Sequence, residues 1–235
     1  MFCCIECGCV ENGNKAYIEF SKGTLKLKRC VRCGSLVDKY IEYEWLLIII
    51  DMTLLRLQAY RHVLRNVSLS PSRYTKFFLL SLLIRMYVFI FLNVDEKTLS
   101  LVTEDSRTTA MYAALLAIRI SCEQAAFFVL LLSTIWSSIC HQSPGWALCK
   151  AVTLSSYVIV AIVPMTIWDS PKLFIRIVEV MVLASTIVST KAIAKSTCKW
   201  SFIGFRVIAC FFASTFSVQL ISSYFQLNKH LIKLS

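Results

Sequence analysis

The chain has 235 residues, of which 57% are hydrophobic, and a mean hydropathy of +0.66. A soluble domain of this length is much less apolar, so the composition predicts a membrane protein. The net charge is +11, and the basic residues are spread over short loops between apolar runs. Nucleic-acid-binding proteins gather their basic residues on one face, so we expect anionic lipid and no nucleic acid as the partner of this charge.

Residues 1–44 are polar and contain two pairs of cysteines, each with two residues between its members and a glycine after it. These residues are Cys4, Cys7 and Gly8 in the first pair, and Cys30, Cys33 and Gly34 in the second. Four thiolates at this spacing can reach one Zn²⁺ ion at about 2.3 Å, and glycine permits the left-handed turn after each pair. Since four thiolates leave no open coordination position, the pattern predicts a structural zinc ion and leaves Cys3 and Cys9 outside the site.

The stretch between the cysteine pairs predicts a β-hairpin. Residues 15–20 and 24–29 alternate apolar and polar side chains around a turn at residues 21–23, which completes a zinc-ribbon plan. A redox pair would need a βαβ context that the sequence lacks, and a disulfide pair would need an oxidising compartment. The first dozen residues have no basic and apolar segments typical of a secretory signal, so we expect a cytosolic, reducing location for residues 1–44.

Residues 45–67 predict a helix that lies in the membrane interface. The run 45–57 is apolar, is interrupted by Asp51, and is shorter than the roughly 20 residues that cross a bilayer. Next, basic and polar side chains recur at helical spacing on one face, with apolar side chains opposite. The polar face comprises Gln58, Arg61, His62 and Arg65. Such an exposed face suits the headgroup layer of the membrane. An ordinary basic cytosolic loop is the alternative for the polar face, and a membrane-spanning segment is the alternative for residues 45–57.

Five apolar runs then predict a transmembrane bundle over residues 77–225, followed by a tail at 226–235. The runs are 77–94, 110–136, 146–168, 173–190 and 201–225. The loops before the first run and before the last are basic, whereas the loop between the first two is rich in acidic residues. Basic loops face the cytosol, so this pattern places the N-terminus in the cytosol.

Several charged side chains lie inside the predicted spans. They are Arg85, Arg119, Glu123, Arg176 and Glu179. Because a charge in hydrocarbon costs about 2.5–3.5 kcal/mol on insertion scales, we expect these side chains to face the bundle or a wet cavity. They are functional candidates, and pairing that only fixes helix packing is the alternative.

The sequence resembles the Arv family of endoplasmic-reticulum membrane proteins. The resemblance is densest over residues 4–66, where the cysteine pairs, VDKYIEY at 37–43 and QAYRH at 58–62 occur in the family's order, and it continues at Glu123 and Gln124. Cys3, Cys9 and Arg65 depart from the family pattern. The lipid- or partner-binding residues that follow from the polar face, the buried charges and this resemblance are Gln58, Tyr60, Arg61, His62, Arg65, Glu123 and Gln124.

The resemblance implies a non-catalytic factor of the endoplasmic reticulum that supports sterol export and distribution, sphingolipid balance and early glycosylphosphatidylinositol-anchor synthesis. Its implied partners are the lipid bilayer, sterol or other lipids, and subunits of lipid-modifying or anchor-synthesis enzymes. The sequence itself offers no acyltransferase motif at its histidines and no phosphate-binding loop, so we expect no catalytic activity. A lipid-modifying enzyme, and an ion or solute carrier that uses the buried charges, remain alternative functions.

The predicted fold is therefore an all-α polytopic membrane protein with a small N-terminal zinc-ribbon β-hairpin. It has about five transmembrane helices and one interfacial helix.

Overall fold

The protein is mostly helical, with two short β-hairpins at its N-terminal end. The computed structural model describes residues 2–11, 16–21, 24–68, 70–93, 106–136, 144–162, 171–194 and 197–215. The helices are α1 (Trp45–Thr53), α2 (Leu57–Arg61), α3 (Pro71–Asn93), α4 (Ser106–Ile135), α5 (Pro144–Ser155), α6 (Pro171–Ile193) and α7 (Trp200–Thr215). This architecture confirms a largely helical chain with a small hairpin module at its start. The hairpin module comprises the described residues before α1, namely 2–11, 16–21 and 24–44.

Each cysteine pair lies in or beside a small antiparallel hairpin. Strand β1 (Phe2–Cys3) pairs with β2 (Val10–Glu11) around the first cysteine pair. Strand β3 (Tyr17–Ser21) pairs with β4 (Thr24–Leu27), which confirms the predicted hairpin, while residues 22 and 23 of its turn lie outside the described residues.

The segment after the hairpins is not the single helix over 45–67 that the sequence predicted. Helix α1 ends at Thr53, Leu55 takes a positive φ of 58°, and α2 starts at Leu57. A π-helical turn, His62–Asn66, follows α2 directly. The prediction of one continuous helix is therefore wrong, because the chain must bend after Thr53 for the polar side of α2 to reach the hairpin module.

Five helices, α3 to α7, overlap the five predicted spans, and α5 continues as a 3₁₀ helix, Ser156–Ala161. Among the described residues, two stretches are long and apolar enough to cross a membrane, Ala114–Ile135 and Leu173–Ile193. The helices Gly145–Ala161 and Trp200–Thr215 are shorter. Parts of the predicted spans, including residues 216–225, lie outside the described residues, so the count of five spans stays a prediction.

One apolar core joins the hairpin module to the helices. Ile5, between the first two metal-ligand candidates, is 1% exposed and belongs to the same cluster as Tyr60 and Leu131. On the outside of the helices, large apolar side chains are exposed, among them Leu83, Leu115, Ile118, Val180 and Phe205. Apolar side chains that face outward suit a lipid environment, whereas water would disfavour this arrangement.

Candidate metal centre and its contacts with the helices

Four cysteine sulfurs form a compact cluster at the tip of the hairpin module. The sulfurs of Cys4, Cys7, Cys30 and Cys33 all lie within 4.8 Å of one another. The Cys4–Cys33 and Cys7–Cys30 Sγ distances are both 3.7 Å. A tetrahedron with metal–sulfur bonds of about 2.3 Å has edges of about 3.8 Å, so these four sulfurs fit a zinc ion.

The two cysteine pairs have the same backbone geometry. The Gly8 N–H donates to the Cys4 carbonyl and the Gly34 N–H donates to the Cys30 carbonyl, each at 2.9 Å. The φ angles of the two glycines are 74° and 73°. This left-handed conformation is costly for residues with a Cβ, so the glycine after each pair has the conformational role that its position predicted.

The four thiols differ in their surroundings. Burial raises the pKa of the Cys4 thiol, which has no solvent exposure. At exposed Cys33, the backbone N–H of Ser35 is the main cause that lowers the pKa, to about 7. Coordination to a cation stabilises a thiolate, so a bound cation would release the remaining thiol protons to solvent and complete the set of four thiolates.

Arg61 connects α2 to the first cysteine pair. Its Nη1 donates to the carbonyl of Ile5 at 2.8 Å and to the carbonyl of Glu6 at 2.5 Å. Its guanidinium group lies against Gly8, where an added Cβ would be 3.1 Å from Nη2. Burial lowers the pKa of Arg61. The first cysteine pair and α2 are thus joined by a charged group that is almost wholly enclosed.

The polar face predicted for residues 58–65 is not exposed as the sequence suggested. Arg61 and His62 are each 6% exposed, because both point into the contact with the hairpin module. Gln58 and Arg65 are partly buried there as well, and Gln58 Nε2 donates to Glu6 Oε2 at 3.2 Å. The prediction of an exposed basic face is therefore wrong, and direct binding of lipid or partner by these residues stays a prediction.

Asp38 lies at the centre of a buried polar network between the module and the π-helical turn. Its Oδ2 is 2.7 Å from His62 Nδ1 and accepts a hydrogen bond from Asn66 Nδ2, also at 2.7 Å. Its Oδ1 accepts from the Tyr40 N–H at 3.0 Å, and the carboxylate is fully buried. Asn66 also pairs with the backbone N–H and carbonyl of Cys3, each at 2.9 Å. These contacts link the hairpin module to the π-helical turn.

Two tyrosine hydroxyls extend this network toward the membrane helices. Tyr40 donates to Asp51 Oδ2 at 2.7 Å, which accounts for the acidic residue in the apolar helix α1. The Tyr60 hydroxyl is 2.7 Å from Ser185 Oγ on α6. Burial raises the pKa of both phenols, so both remain protonated donors at neutral pH. Tyr60 therefore binds within the protein, between α2 and α6.

Two residues that depart from the family pattern lie together. Arg65 Nη1 is 3.6 Å from Cys3 Sγ, and Arg65 Nη2 donates to the Ile193 carbonyl at 2.8 Å. The arginine thus connects β1 to the C-terminal end of α6. Cys3 and Cys9 are not members of the sulfur cluster, in agreement with the prediction from the glycine positions.

The sequence analysis missed two residues of this contact. Asn66 lies four residues after His62, so its helical spacing places it on the same face and was the available signal. Ser185 belongs to a Ser/Thr-rich stripe of α6 whose members are buried, namely Ser185, Thr186, Ser189 and Thr190. Small polar residues at this spacing are typical of close helix packing inside membranes.

Glu123 and Gln124 lie apart from the metal centre. Both line a cavity of about 410 Å³ between the bundle helices, together with Arg85, Arg119 and Arg176. The structure thus brings the charged side chains of the predicted spans to one cavity, at whose edge Arg176 is exposed.

Comparison with known proteins gives consistent matches over most of the chain. The model of the Arv1-like family matches residues 3–190. Protein ARV 2 of Arabidopsis thaliana is 29% identical over 196 residues, which cover 82% of this chain and 84% of that protein. Protein ARV1 of Mus musculus is 31% identical over 195 residues, 79% of this chain and 71% of that protein. Protein ARV1 of Homo sapiens is 28% identical over 209 residues, 85% of this chain and 75% of that protein. No solved structure gives a significant match.

Proposed function

This chain belongs to the Arv1-like family, and we propose that it is a non-catalytic membrane factor of sterol and lipid homeostasis in the endoplasmic reticulum. In this role it supports sterol export and distribution, sphingolipid balance and early glycosylphosphatidylinositol-anchor synthesis. The observation that carries the proposal is the contact between the four-cysteine module and α2, within the stretch where the resemblance to the family is densest. This contact fixes a small folded module on a set of apolar helices.

A structural zinc ion would stabilise the module. Four thiolates and one Zn²⁺ carry a net charge of −2, and the site is closed to substrate because every coordination position is taken. Arg61 lies beside the first cysteine pair, where its positive charge partly offsets this negative charge. Cys4, Cys7, Cys30 and Cys33 would hold the ion, which would fix both cysteine pairs in place. The first pair presents the carbonyls of Ile5 and Glu6 to Arg61. Metal binding and docking of the module on α2 therefore support each other.

Helix α1 suits the boundary between headgroups and hydrocarbon. Of its side chains, Ile48 and Met52 pack inward, while a larger apolar set is exposed. The exposed set comprises Trp45, Leu46, Leu47, Ile49 and Ile50. A nine-residue helix is too short to cross a bilayer, and an exposed apolar surface that starts with tryptophan is typical of interfacial helices.

The N-terminal module lies on the cytosolic side in this proposal. The stretch from Arg56 to Lys76 contains five Lys and Arg residues and no acidic ones, as positive-inside segments do. A cytosolic location also keeps the four thiols reduced and available for zinc. The module then faces cytosolic or membrane-bound partners, including the lipid-modifying and anchor-synthesis enzyme subunits that the resemblance implies.

Complementation in cells that lack their own family member tests the proposal. The wild-type chain should restore the normal distribution of sterol between the endoplasmic reticulum and the plasma membrane, measured with a sterol-binding probe and by fractionation. Cys30→Ser should fail to restore it, and Cys9→Ser, a cysteine outside the cluster, should succeed. Normal sterol distribution in the deficient cells without the chain, or full rescue by Cys30→Ser, would refute the role of the module in this function.

A further inference from the structure

The cavity between the bundle helices combines charge with a largely apolar wall. Its volume of about 410 Å³ lies within the range of about 300–1,000 Å³ that is usual for small-ligand sites. All five helices from α3 to α7 contribute to its lining. Arg176 and Glu179 are exposed and pair with each other at 2.8 Å, so they mark the side on which the cavity opens.

Arg85 is the inner charge of this cavity. It lies near the middle of α3, and its Nε is buried without a hydrogen-bond partner among the described residues. The acidic side chains close enough to act on its charge are Glu123 and Glu179. A buried guanidinium nitrogen without an acceptor is costly, so a ligand oxygen that accepted from Arg85 would be bound favourably.

The charges that line the cavity do not cancel. Three arginines, Arg85, Arg119 and Arg176, face two glutamates, Glu123 and Glu179, which leaves one positive charge among the described lining residues. One negative charge on a ligand would balance it. Guanidinium groups bind phosphate oxygens through charge-assisted hydrogen bonds, often two at a time.

The rest of the lining suits the remainder of an amphipathic molecule. Apolar side chains from α3, α4 and α6, such as Val88, Phe127 and Val182, form the wall beside the charges. Hydroxyl groups are also present, at Ser156, Thr186 and other positions. Ser156 and Thr186 donate their hydrogens within the protein, so their oxygens can accept from a headgroup hydroxyl. A site with apolar walls and a few polar groups in fixed positions is the usual form of a lipid pocket.

We propose that this cavity binds one anionic phospholipid, with its phosphate on Arg85 and an acyl chain along the apolar wall. The inference deepens the proposed role in lipid homeostasis and rests on it. A sterol offers a single hydroxyl and no charge, so it would leave the positive charge unbalanced. A phosphatidylcholine carries a positive choline group as well as its negative phosphate, so it would leave the positive charge of the cavity unbalanced.

Equilibrium binding to the full-length chain in neutral detergent tests this site. The probe is tritiated phosphatidylglycerol, and the competitors are unlabelled phosphatidylglycerol, phosphatidylcholine with the same chains, cholesterol, and inorganic phosphate. Binding should be saturable with one lipid per chain, and phosphatidylcholine should compete about tenfold more weakly than phosphatidylglycerol. Cholesterol and inorganic phosphate should not compete at the same concentrations.

Two variants connect the binding to the cavity. Arg85→Gln removes the charge and should weaken phosphatidylglycerol binding about tenfold or more. Val182→Phe narrows the cavity without a change of charge and should weaken binding as well, which decides the matter if Arg85→Gln does not fold. The matched control is Arg206→Gln on α7. Arg206 stacks on the ring of Phe202, also on α7, and does not line the cavity.

Four outcomes would overturn the proposal. They are absent or non-saturable binding by the wild type, equal competition by phosphatidylcholine or cholesterol, competition by inorganic phosphate, and unchanged binding by folded Arg85→Gln or Val182→Phe. Circular dichroism of each variant in the same detergent identifies the folded proteins. A wild-type chain that restores sterol distribution in cells and yet binds no phosphatidylglycerol would refute the cavity proposal and leave the proposed function intact.

Discussion

The carboxylate of Asp38 lies 2.7 Å from the imidazole of His62, and both side chains are buried between the cysteine module and the π-helical turn. The two residues are 24 positions apart in the chain. Asp38 follows the second cysteine pair and His62 follows α2, so this contact closes the module onto the helices. Asp38 also accepts from Tyr40 and Asn66, so the carboxylate binds both the start of the 3₁₀ helix Lys39–Glu42 and the π-helical turn.

Asp38→Ala should release the module from the helices. Each buried polar group left without its hydrogen-bond partner typically costs about 1–3 kcal/mol, and this substitution removes the acceptor of Tyr40 N–H and Asn66 Nδ2. We expect faster trypsin cleavage within residues 24–44 of the purified protein, measured by mass spectrometry of the fragments. Glu42→Ala, at an exposed position of the same 3₁₀ helix Lys39–Glu42, is the control and should be cleaved at the wild-type rate. Identical cleavage of the two variants would argue against the network.

Zinc content should depend on the four clustered cysteines and on no others in the module. The purified wild-type chain should contain one zinc ion, and Cys4→Ser, Cys7→Ser, Cys30→Ser and Cys33→Ser should each lose it, because three thiolates and a hydroxyl bind zinc much more weakly. Cys3→Ser and Cys9→Ser should keep it. The measurement is elemental analysis by mass spectrometry, and full zinc content in Cys30→Ser would disprove the assignment.

The two glycines of the cysteine pairs should differ in their sensitivity to alanine. Both have a left-handed φ, so each alanine should cost about 1–2 kcal/mol in conformational strain. At Gly8 the added Cβ would also meet the Arg61 guanidinium at 3.1 Å, whereas nothing lies within 4 Å at Gly34. Gly8→Ala should therefore lower the midpoint of thermal unfolding more than Gly34→Ala does. Equal midpoints would show that the Arg61 contact adds nothing to the strain.

Arg61 should matter for stability, in contrast to what an exposed basic face would imply. Arg61→Gln loses the hydrogen bonds to the carbonyls of Ile5 and Glu6 and leaves these acceptors without their charged donor. Loss of such buried bonds costs about 1–3 kcal/mol, so cellular abundance and the unfolding midpoint should both fall. Arg32→Gln, on the exposed part of the second cysteine pair, is the matched control. Wild-type abundance of Arg61→Gln together with lost complementation would instead favour a direct binding role.

Membrane orientation should follow the charge of the loops. A membrane-impermeant thiol reagent, applied after selective permeabilisation of the plasma membrane, should label a cysteine introduced at Ser72 and should not label one introduced at Ser100. Ser72 is exposed at the start of α3, and Ser100 lies outside the described residues. The reversed labelling pattern would place the cysteine module in the lumen and contradict the proposed cytosolic location.

Residue spacing in the sequence was enough to predict the metal-ligand candidates. The interval of two residues between cysteines and the glycine after each pair are local features, and they fix the same backbone turn wherever it occurs. For the same reason the hairpin between the pairs could be predicted, and each of the five apolar runs overlaps one of the helices α3 to α7. Apolar runs form helices in a membrane because backbone groups in hydrocarbon must bond within their own segment.

Local patterns could not reveal which polar groups are buried. Helical spacing placed Arg61 and His62 on one face correctly, yet the same spacing describes a face toward lipid headgroups and a face toward another part of the protein. The same spacing also gave no sign of the positive φ of Leu55 and the bend after α1. A guanidinium group needs hydrogen-bond acceptors wherever it is buried. For Arg61 these acceptors are the carbonyls of Ile5 and Glu6, and only the tertiary structure places them beside it.

The sequence by itself thus determined the class of the protein, the cysteine cluster and the resemblance to its family, because these depend on composition and short intervals. Tertiary structure alone decided that Asp38 binds His62, that Tyr60 meets Ser185, and that Arg85 and Glu123 share one cavity. The physical reason is that these contacts join segments far apart in the chain. Which residues meet depends on how whole helices pack against each other, and the spacing of residues within one segment does not show that packing.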